Sequence, residues 1–228
     1  MRLWTVADVM TRDVATVSAE TSYRQIVDIL SELRISAVPV VDAAGLVLGV
    51  VSETDLLYKI ETEGHPGTRQ IFGSRRRRAA WTKATAVEAK DLMTVPAITI
   101  RPSALILTAA RRMNARHVKR LVVVNDLGRA VGVVTRGDLL KVHLRPDADI
   151  GRDVTNGVLH RILAIRDGTV RVEVRDGVVT LTGTLDRRST AVSAARLSLA
   201  VAGVVAVEDH LTFDADDTVL THAAPGGA

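Results

Sequence analysis

The sequence has no cysteine, which removes disulfide frameworks, thiolate zinc sites, iron–sulfur clusters and thiol nucleophiles together. Aromatic residues are scarce at 3%, so a core has to be assembled from Val, Leu, Ile and Ala, the aliphatic set that suits sheets covered by helices. No stretch approaches the ~18 consecutive apolar residues of a membrane span. The longest candidate, 191–207, is interrupted by Ser193, Arg196 and Ser198. The opening Met1-Arg2-Leu3-Trp4-Thr5-Val6-Ala7-Asp8 lacks the apolar region of a secretory signal, and a soluble, cytoplasmic chain is expected. Catalytic signatures are missing too: there is no Gly-x-Ser-x-Gly elbow, no Walker-type Gly-Lys-Ser/Thr loop and no Gly-x-Gly-x-x-Gly fingerprint. The six histidines, at 65, 117, 143, 160, 210 and 222, fall at no metal-ligand spacing. Binding without turnover, with no metal and no obligatory cofactor, is the expectation.

What is present is ample apolar content, 47% of 228 residues, enough for one large domain or two small ones. The net charge of +4 sits in one place. Residues 61–87 hold Arg69, Arg75, Arg76, Arg77, Arg78 and Lys83 against Glu61 and Glu63, so the rest of the chain is neutral overall. The run Arg75–Arg78 lies near Gly64-His65-Pro66-Gly67, as a solvated linker would, and lacks interleaved aromatics for base stacking. Nucleic acid is therefore not the expected partner. Trp81 leaves open a short docking segment, and the arginines leave open a fold over a ligand's phosphates.

The dominant feature is a repeat at an offset of 83 residues. Asp8-Val9-Met10-Thr11 recurs as Asp91-Leu92-Met93-Thr94, and Gly49-Val50-Val51-Ser52-Glu53-Thr54-Asp55-Leu56-Leu57 recurs as Gly132-Val133-Val134-Thr135-Arg136-Gly137-Asp138-Leu139-Leu140. Across residues 5–57 the ungapped alignment gives 13 identities, too many for chance. Each copy predicts a short strand (Ala15–Ser18; Ile98–Arg101) and then a helix, whose first version places Ile26, Val27, Ile29, Leu30 and Leu33 on one face. Two apolar strands follow (Ala37–Asp42 and Leu46–Ser52; Leu121–Asn125 and Ala130–Thr135), with a last helix from Glu53 or Arg136. One copy leaves an apolar sheet face uncovered, so two copies are expected to pack sheet to sheet as a pseudo-twofold module with clefts between them.

From residue 147 the pattern changes. A helix is predicted over Asp149–Ala164, with Ile150, Val154, Val158, Leu159 and Ile162 on one side. Val170, Val172 and Val174 alternate with charged residues, Asp176-Gly177 supplies a hairpin turn, and Val179 and Leu181 resume the alternation. A helix over Ser189–Ala202 ends at Gly203, and Val204, Val205, Val207 and His210–Phe213 form a last strand. The order is αββαβ. Gly177 and Gly183 read as residues of positive φ or tight packing. The fold class is thus α/β and α+β: repeat one over 1–60, a basic linker over 61–87, repeat two over 88–146, a small domain over 147–214 and a disordered tail over 215–228.

Chemistry concentrates at the two strand-to-helix junctions. Gly lets a chain approach a ligand, the hydroxyl of Ser52 or Thr135 can cap a helix or bond a phosphate, and Asp55 or Asp138 can accept both ribose hydroxyls. The same residues also make ordinary helix caps, and taken singly neither reading prevails. The paired pattern, with a D-h-M-T start (h apolar), an h-P-V-V-D strand and a G-h-h-S/T-x-x-D end, resembles tandem CBS domains, named for cystathionine β-synthase, over residues 3–145. The resemblance implies two βαββα repeats, homodimers, and AMP, ADP, ATP or a related ligand as regulatory partner in the inter-repeat clefts. It implies that Asp55 and Asp138 hold ribose, that Ser52 and Thr135 meet ribose or phosphate, and that main chain at Thr16 and Thr99 faces the base. His117-Val118-Lys119-Arg120 is similar to the family's phosphate-binding segments, whereas copy one has Arg34-Ile35-Ser36-Ala37. A phosphate site built on Lys119, Arg120, Thr135 and Asp138 is therefore expected, with His117 and Val38 among the ligand contacts. Residues 148–213 resemble a BON domain through the αββαβ order and the Asp176–Gly183 hairpin, which implies a phospholipid or a protein partner for residues 147–214.

Overall fold

A computed structural model describes residues 4–62 and 82–218. The Arg75–Arg78 run, Trp81 and the tail from 219 lie outside the described residues. The described residues divide into two compact units: one runs from Thr5 to Leu139, and the other joins Trp4 to those from Leu140 to residue 218.

In the first unit each copy folds alike. Copy one comprises α1 (Val6–Val9), β1 (Val17–Ser18), α2 (Tyr23–Glu32), β2 (Ala37–Val41), β3 (Val47–Ser52) and α3 (Glu53–Thr62). Copy two comprises α4 (Ala89–Leu92), β4 (Thr99–Ile100), α5 (Ile106–Ala115), β5 (Arg120–Val124), β6 (Ala130–Thr135) and α6 (Arg136–Leu140). Each sheet has three strands in the order β1-β2-β3 or β4-β5-β6. The first pair is parallel across its crossover helix and the second is an antiparallel hairpin. The central strands β2 and β5 are buried almost throughout, which is why their sequences are continuous apolar runs without alternation. Even the bulge recurs, between Val40 and Val41 and between Val123 and Val124. Ser22 caps α2 with Gln25 as the reciprocal partner, and Ile26 and Leu30 face the core. Leu33, expected on that face, is the C-cap residue and is exposed, because the helix turns left-handed at Arg34 one residue later.

The copies are joined by exchange of their opening segments. The Val6 and Ala7 N–H groups donate to Ala104 and Pro102 of copy two, while Ala89 and Lys90 donate to Thr21 and Ala19 of copy one. Backbone bridges then tie Thr11 to Val133 and Thr94 to Val50. Ala89 and Leu92 are accordingly fully buried in the core of copy one, among Ile26, Val38 and Val51. At these crossings the motif glycines are steric necessities. A Cβ on Gly49 would lie 2.8 Å from Met93 Sδ and 3.0 Å from the Thr94 carbonyl; one on Gly132 would lie 2.8 Å from Met10 Sδ and 2.9 Å from the Thr11 carbonyl. The sequence suggested that these glycines let a ligand approach; they make room for the other copy's methionine.

The second unit begins with α7 (Asp147–Arg152), whose winding widens to i→i+5 bonds over Asp153–Ile162. The wider turn rotates Ile162 out of the expected stripe, leaving it exposed while Ile150, Val154, Val158 and Leu159 are buried. β7 (Val170–Arg175) and β8 (Val178–Arg187) form the expected hairpin, with Asp176 and Gly177 both at positive φ. α8 (Arg188–Leu199) crosses to β9 (Ala206–Ala215), which pairs parallel to β8, so β8 is central. Gly183, at φ 147°, has room for no Cβ against the Thr169 carbonyl, which is the tight packing its sequence suggested. Arg145 lies over the Trp4 ring and pairs with Asp153 at 2.7 Å. The expectation of disorder from 215 needs correction for its first residues. The Asp217 carboxylate accepts from Ser189 N (2.9 Å) and Oγ (2.6 Å), capping α8 in place of Arg187, and these bonds hold its carboxyl below the usual range.

Candidate functional site

Asp55 and Asp138, among the few buried polar side chains of the described residues, end the repeats identically. Asp55 Oδ2 accepts from Ser52 N (2.8 Å) and Ser52 Oγ (2.7 Å); Asp138 Oδ2 accepts from Thr135 N (2.9 Å) and Thr135 Oγ1 (2.7 Å). Both junctions are therefore helix caps, whatever else they do. Their surroundings differ. Asp55 opens onto a cavity of about 280 Å³ that also receives Ser52, Glu53, Thr94, Ile98, Lys119 and Arg120.

The cations come from copy two and the cap from copy one. Alternation along β5 puts Arg120 and Val122 on the cavity face, with Leu121 and Val123 in the core behind. Lys119 is fixed one residue earlier, where its carbonyl accepts from Arg136 N at 3.1 Å. Among the described residues, neither Lys119 nor Arg120 has a side-chain ion pair or hydrogen bond. Burial pushes the Arg120 guanidinium below its ordinary pKa, with the nearby Glu53 carboxylate opposing the shift. A half-buried guanidinium without a bound carboxylate is set to receive an anion, and its planar fork suits phosphate oxygens.

The structure thus gathers Ser52, Asp55, His117, Lys119 and Arg120 around one space. The set expected from the sequence combined Lys119 and Arg120 with Thr135 and Asp138, and that grouping is corrected. Although Arg120 faces Thr135 across the β5–β6 ladder, Thr135 and Asp138 do not line the cavity, because the exchanged openings set each repeat against the other's junction. Val38 is a core residue, wholly buried between β1 and β3. Thr99 lies one residue past the lining Ile98 and spends its carbonyl on Arg112 at 2.6 Å, while Thr16 borders a separate shallow groove with Gln25 and Asp28. His117 has φ 53° and is the left-handed residue that ends α5, with Val118 N donating to Met113 O at 2.9 Å.

Two contributors were not legible. Thr94 enters through the bridge to Val50, a nonlocal pairing. Lys83 counted only as linker charge, yet its ammonium is ion-paired with Asp55 and donates to Thr94 Oγ1 at 2.9 Å. A lone lysine in a polar stretch carries no signal that could have identified it. Among the described residues no group of three or more His, Cys, Asp or Glu could hold a metal, and no helix is long and apolar enough to cross a membrane.

Comparison with known proteins agrees with the paired repeats and the C-terminal domain. The CBS domain pattern matches residues 6–62 and 89–145, and the BON domain pattern matches 139–215. An uncharacterized protein of Methanocaldococcus jannaschii is 27% identical over 150 residues, which cover 60% of this chain and 89% of that protein. The chloroplastic CBS domain-containing protein CBSX2 of Arabidopsis thaliana is 28% identical over 155 residues, 62% of this chain and 64% of its own length. The crystal structure of CBSX2 in complex with AMP superposes with a TM-score of 0.55 at 30% identity, covering 62% of this chain and 97% of that one.

Proposed function

The chain belongs to the CBS domain family and carries a BON domain after its two repeats, and from that premise we propose that it is a non-catalytic regulator whose inter-repeat cavity binds an adenine nucleotide. The observation that carries this reading is the pair of unpartnered cations, Lys119 and Arg120, facing the Ser52–Asp55 cap across one cavity. Phosphate would engage the cations, ribose hydroxyls would turn to the Asp55 carboxylate, and Ile98, Val118 and Val122 would offer the apolar wall that a base requires. That CBSX2 was crystallised with AMP supports the choice of ligand class.

Regulation requires that the ligand favour one of two states of the molecule. Two routes are open to it: pairing of two copies through the CBS module, for which Leu57 and Ile60 on α3 supply exposed apolar surface, or a changed disposition of the BON domain toward a protein or lipid partner. The setting for such a sensor is the cytoplasm, where adenine nucleotides are abundant.

Calorimetric titration of the full chain with AMP, ADP, ATP and S-adenosylmethionine tests the reading. Saturable heat is expected with at least one of them, lost or strongly weakened in Arg120→Gln. Absence of heat and of any thermal shift with all four would end it.

A further inference from the structure

Asp55 meets the cavity with both carboxylate oxygens engaged. Oδ2 accepts the two Ser52 donors of the helix cap, and Oδ1 takes the Lys83 ammonium together with Thr94 Oγ1 at 3.3 Å. The ion pair is well shielded, the Lys83 side chain being 14% exposed and that of Asp55 9%. Oδ2 cannot leave the cap without uncapping α3, so a ligand hydroxyl that turns to Asp55 has to win Oδ1.

We propose that Lys83 is a tethered competitor of the cavity's ligand, so that binding is an exchange in which a ligand hydroxyl replaces the Lys83 ammonium on Asp55. This inference rests on the nucleotide reading above and adds a regulatory element supplied by the segment between the repeats. The main chain carrying Lys83 is anchored independently of the pair. Ala84 and Ala86 are buried, and Lys59 Nζ donates to both their carbonyls, at 3.4 and 3.1 Å. Exchange therefore requires only that the flexible lysine stem swing away, while residues 82–86 stay in place.

The competitor also sets the charge that an arriving ligand meets. With Lys83 in place Asp55 is neutralised, and Lys119 and Arg120 outweigh Glu53, so the cavity is net positive toward an anion. A ligand bearing phosphate gains contacts on the cations that offset the ion pair it breaks. Adenosine, offering the same hydroxyls without phosphate, has no such compensation.

Titration of the full chain with AMP tests the exchange in wild type, Lys83→Met and Lys83→Arg. Removing the competitor is expected to tighten AMP binding roughly tenfold, as loss of a shielded ion pair from the unbound state implies, while Lys83→Arg stays near wild type. A measurement on the wild-type protein stands beside it: reductive methylation with formaldehyde, read by mass spectrometry, is expected to label Lys83 several-fold faster with saturating AMP. Unchanged or weaker binding in Lys83→Met, or Lys83 labelling unchanged or slowed by AMP, would overturn the exchange and leave the nucleotide reading standing. Absence of AMP binding in both wild type and Lys83→Met would overturn the exchange, and calorimetry with the other nucleotides would then decide the reading itself.

Discussion

The junction at Ser52–Asp55 and the junction at Thr135–Asp138 share the two bonds to the carboxylate, at distances that agree within 0.1 Å, yet only the first opens onto the cavity that gathers two unpaired cations. Their difference comes from residues outside the repeated motif. Lys83, from the segment between the repeats, is ion-paired with Asp55, and Lys119 and Arg120 line the same cavity, whereas the positions equivalent to Lys119 and Arg120 in copy one are Ser36 and Ala37. An internal repeat thus conserves the frame of a site while its neighbours decide what the frame can bind. A cap is made by local sequence; a binding site here is made by pairing segments from both copies.

The sharpest way to break the comparison is to remove Asp55. Asp55→Ala strips α3 of its cap and leaves the Lys83 ammonium shielded without a counter-ion, a combination expected to cost about 3 kcal/mol. Urea unfolding measures it, and the double variant Asp55→Ala/Lys83→Ala should recover part of the loss, since no orphaned charge remains. A double variant as unstable as the sum of its parts would mean that the ion pair contributes nothing. Next in size are the glycines. Gly49→Ala and Gly132→Ala each press a methyl against the other copy's methionine and threonine carbonyl, and each is expected to lose about 2 kcal/mol by the same unfolding assay. Near-equal losses would confirm that the copies are equivalent as frames; a large inequality would mean that the exchange is tighter at one crossing.

How much of this the sequence carried follows from the range of the forces involved. The offset of 83 located every strand of both copies within a residue or two, because alternation, apolar runs and turn residues are local signals. The Asp176-Gly177 hairpin and the β8–β9 domain were legible for the same reason. Val38 was misplaced because a central strand is buried on both faces and its apolar residues look alike from sequence. The pairing of Lys119 and Arg120 with Asp55 instead of Asp138 was illegible, since it depends on Thr94 bridging to Val50 across the pseudo-twofold, and chain order favours the opposite grouping. Ile162 left its stripe because the helix widens beyond 3.6 residues per turn, a change that no residue between Asp153 and Ile162 announces.

The cations are the next means of sharpening the contrast. Arg120→Gln keeps a polar side chain, though a shorter one with fewer donors, and removes the charge, so AMP affinity should fall roughly tenfold, with the gap between wild type and variant narrowing as salt rises. Calorimetry at two ionic strengths reads both effects. A loss that does not depend on salt would assign Arg120 a packing role at the end of β5.

The smallest expected effect separates frame from site most cleanly. Arg34 and His117 are equivalent residues that end α2 and α5 in the left-handed region, at φ 52° and 53°, each followed by a residue whose N–H returns to the helix, Ile35 to Leu30 and Val118 to Met113. Glycine suits that conformation better than either, so Arg34→Gly and His117→Gly should each stabilise the fold by about 0.5–1 kcal/mol. Their consequences for binding should diverge. His117 lines the cavity beside Lys119, so its replacement removes a wall of the site, while Arg34 does not border that space. Equal gains in thermal stability with AMP affinity altered only by His117→Gly would mean that the two turns share one structural task and that only the second has acquired another.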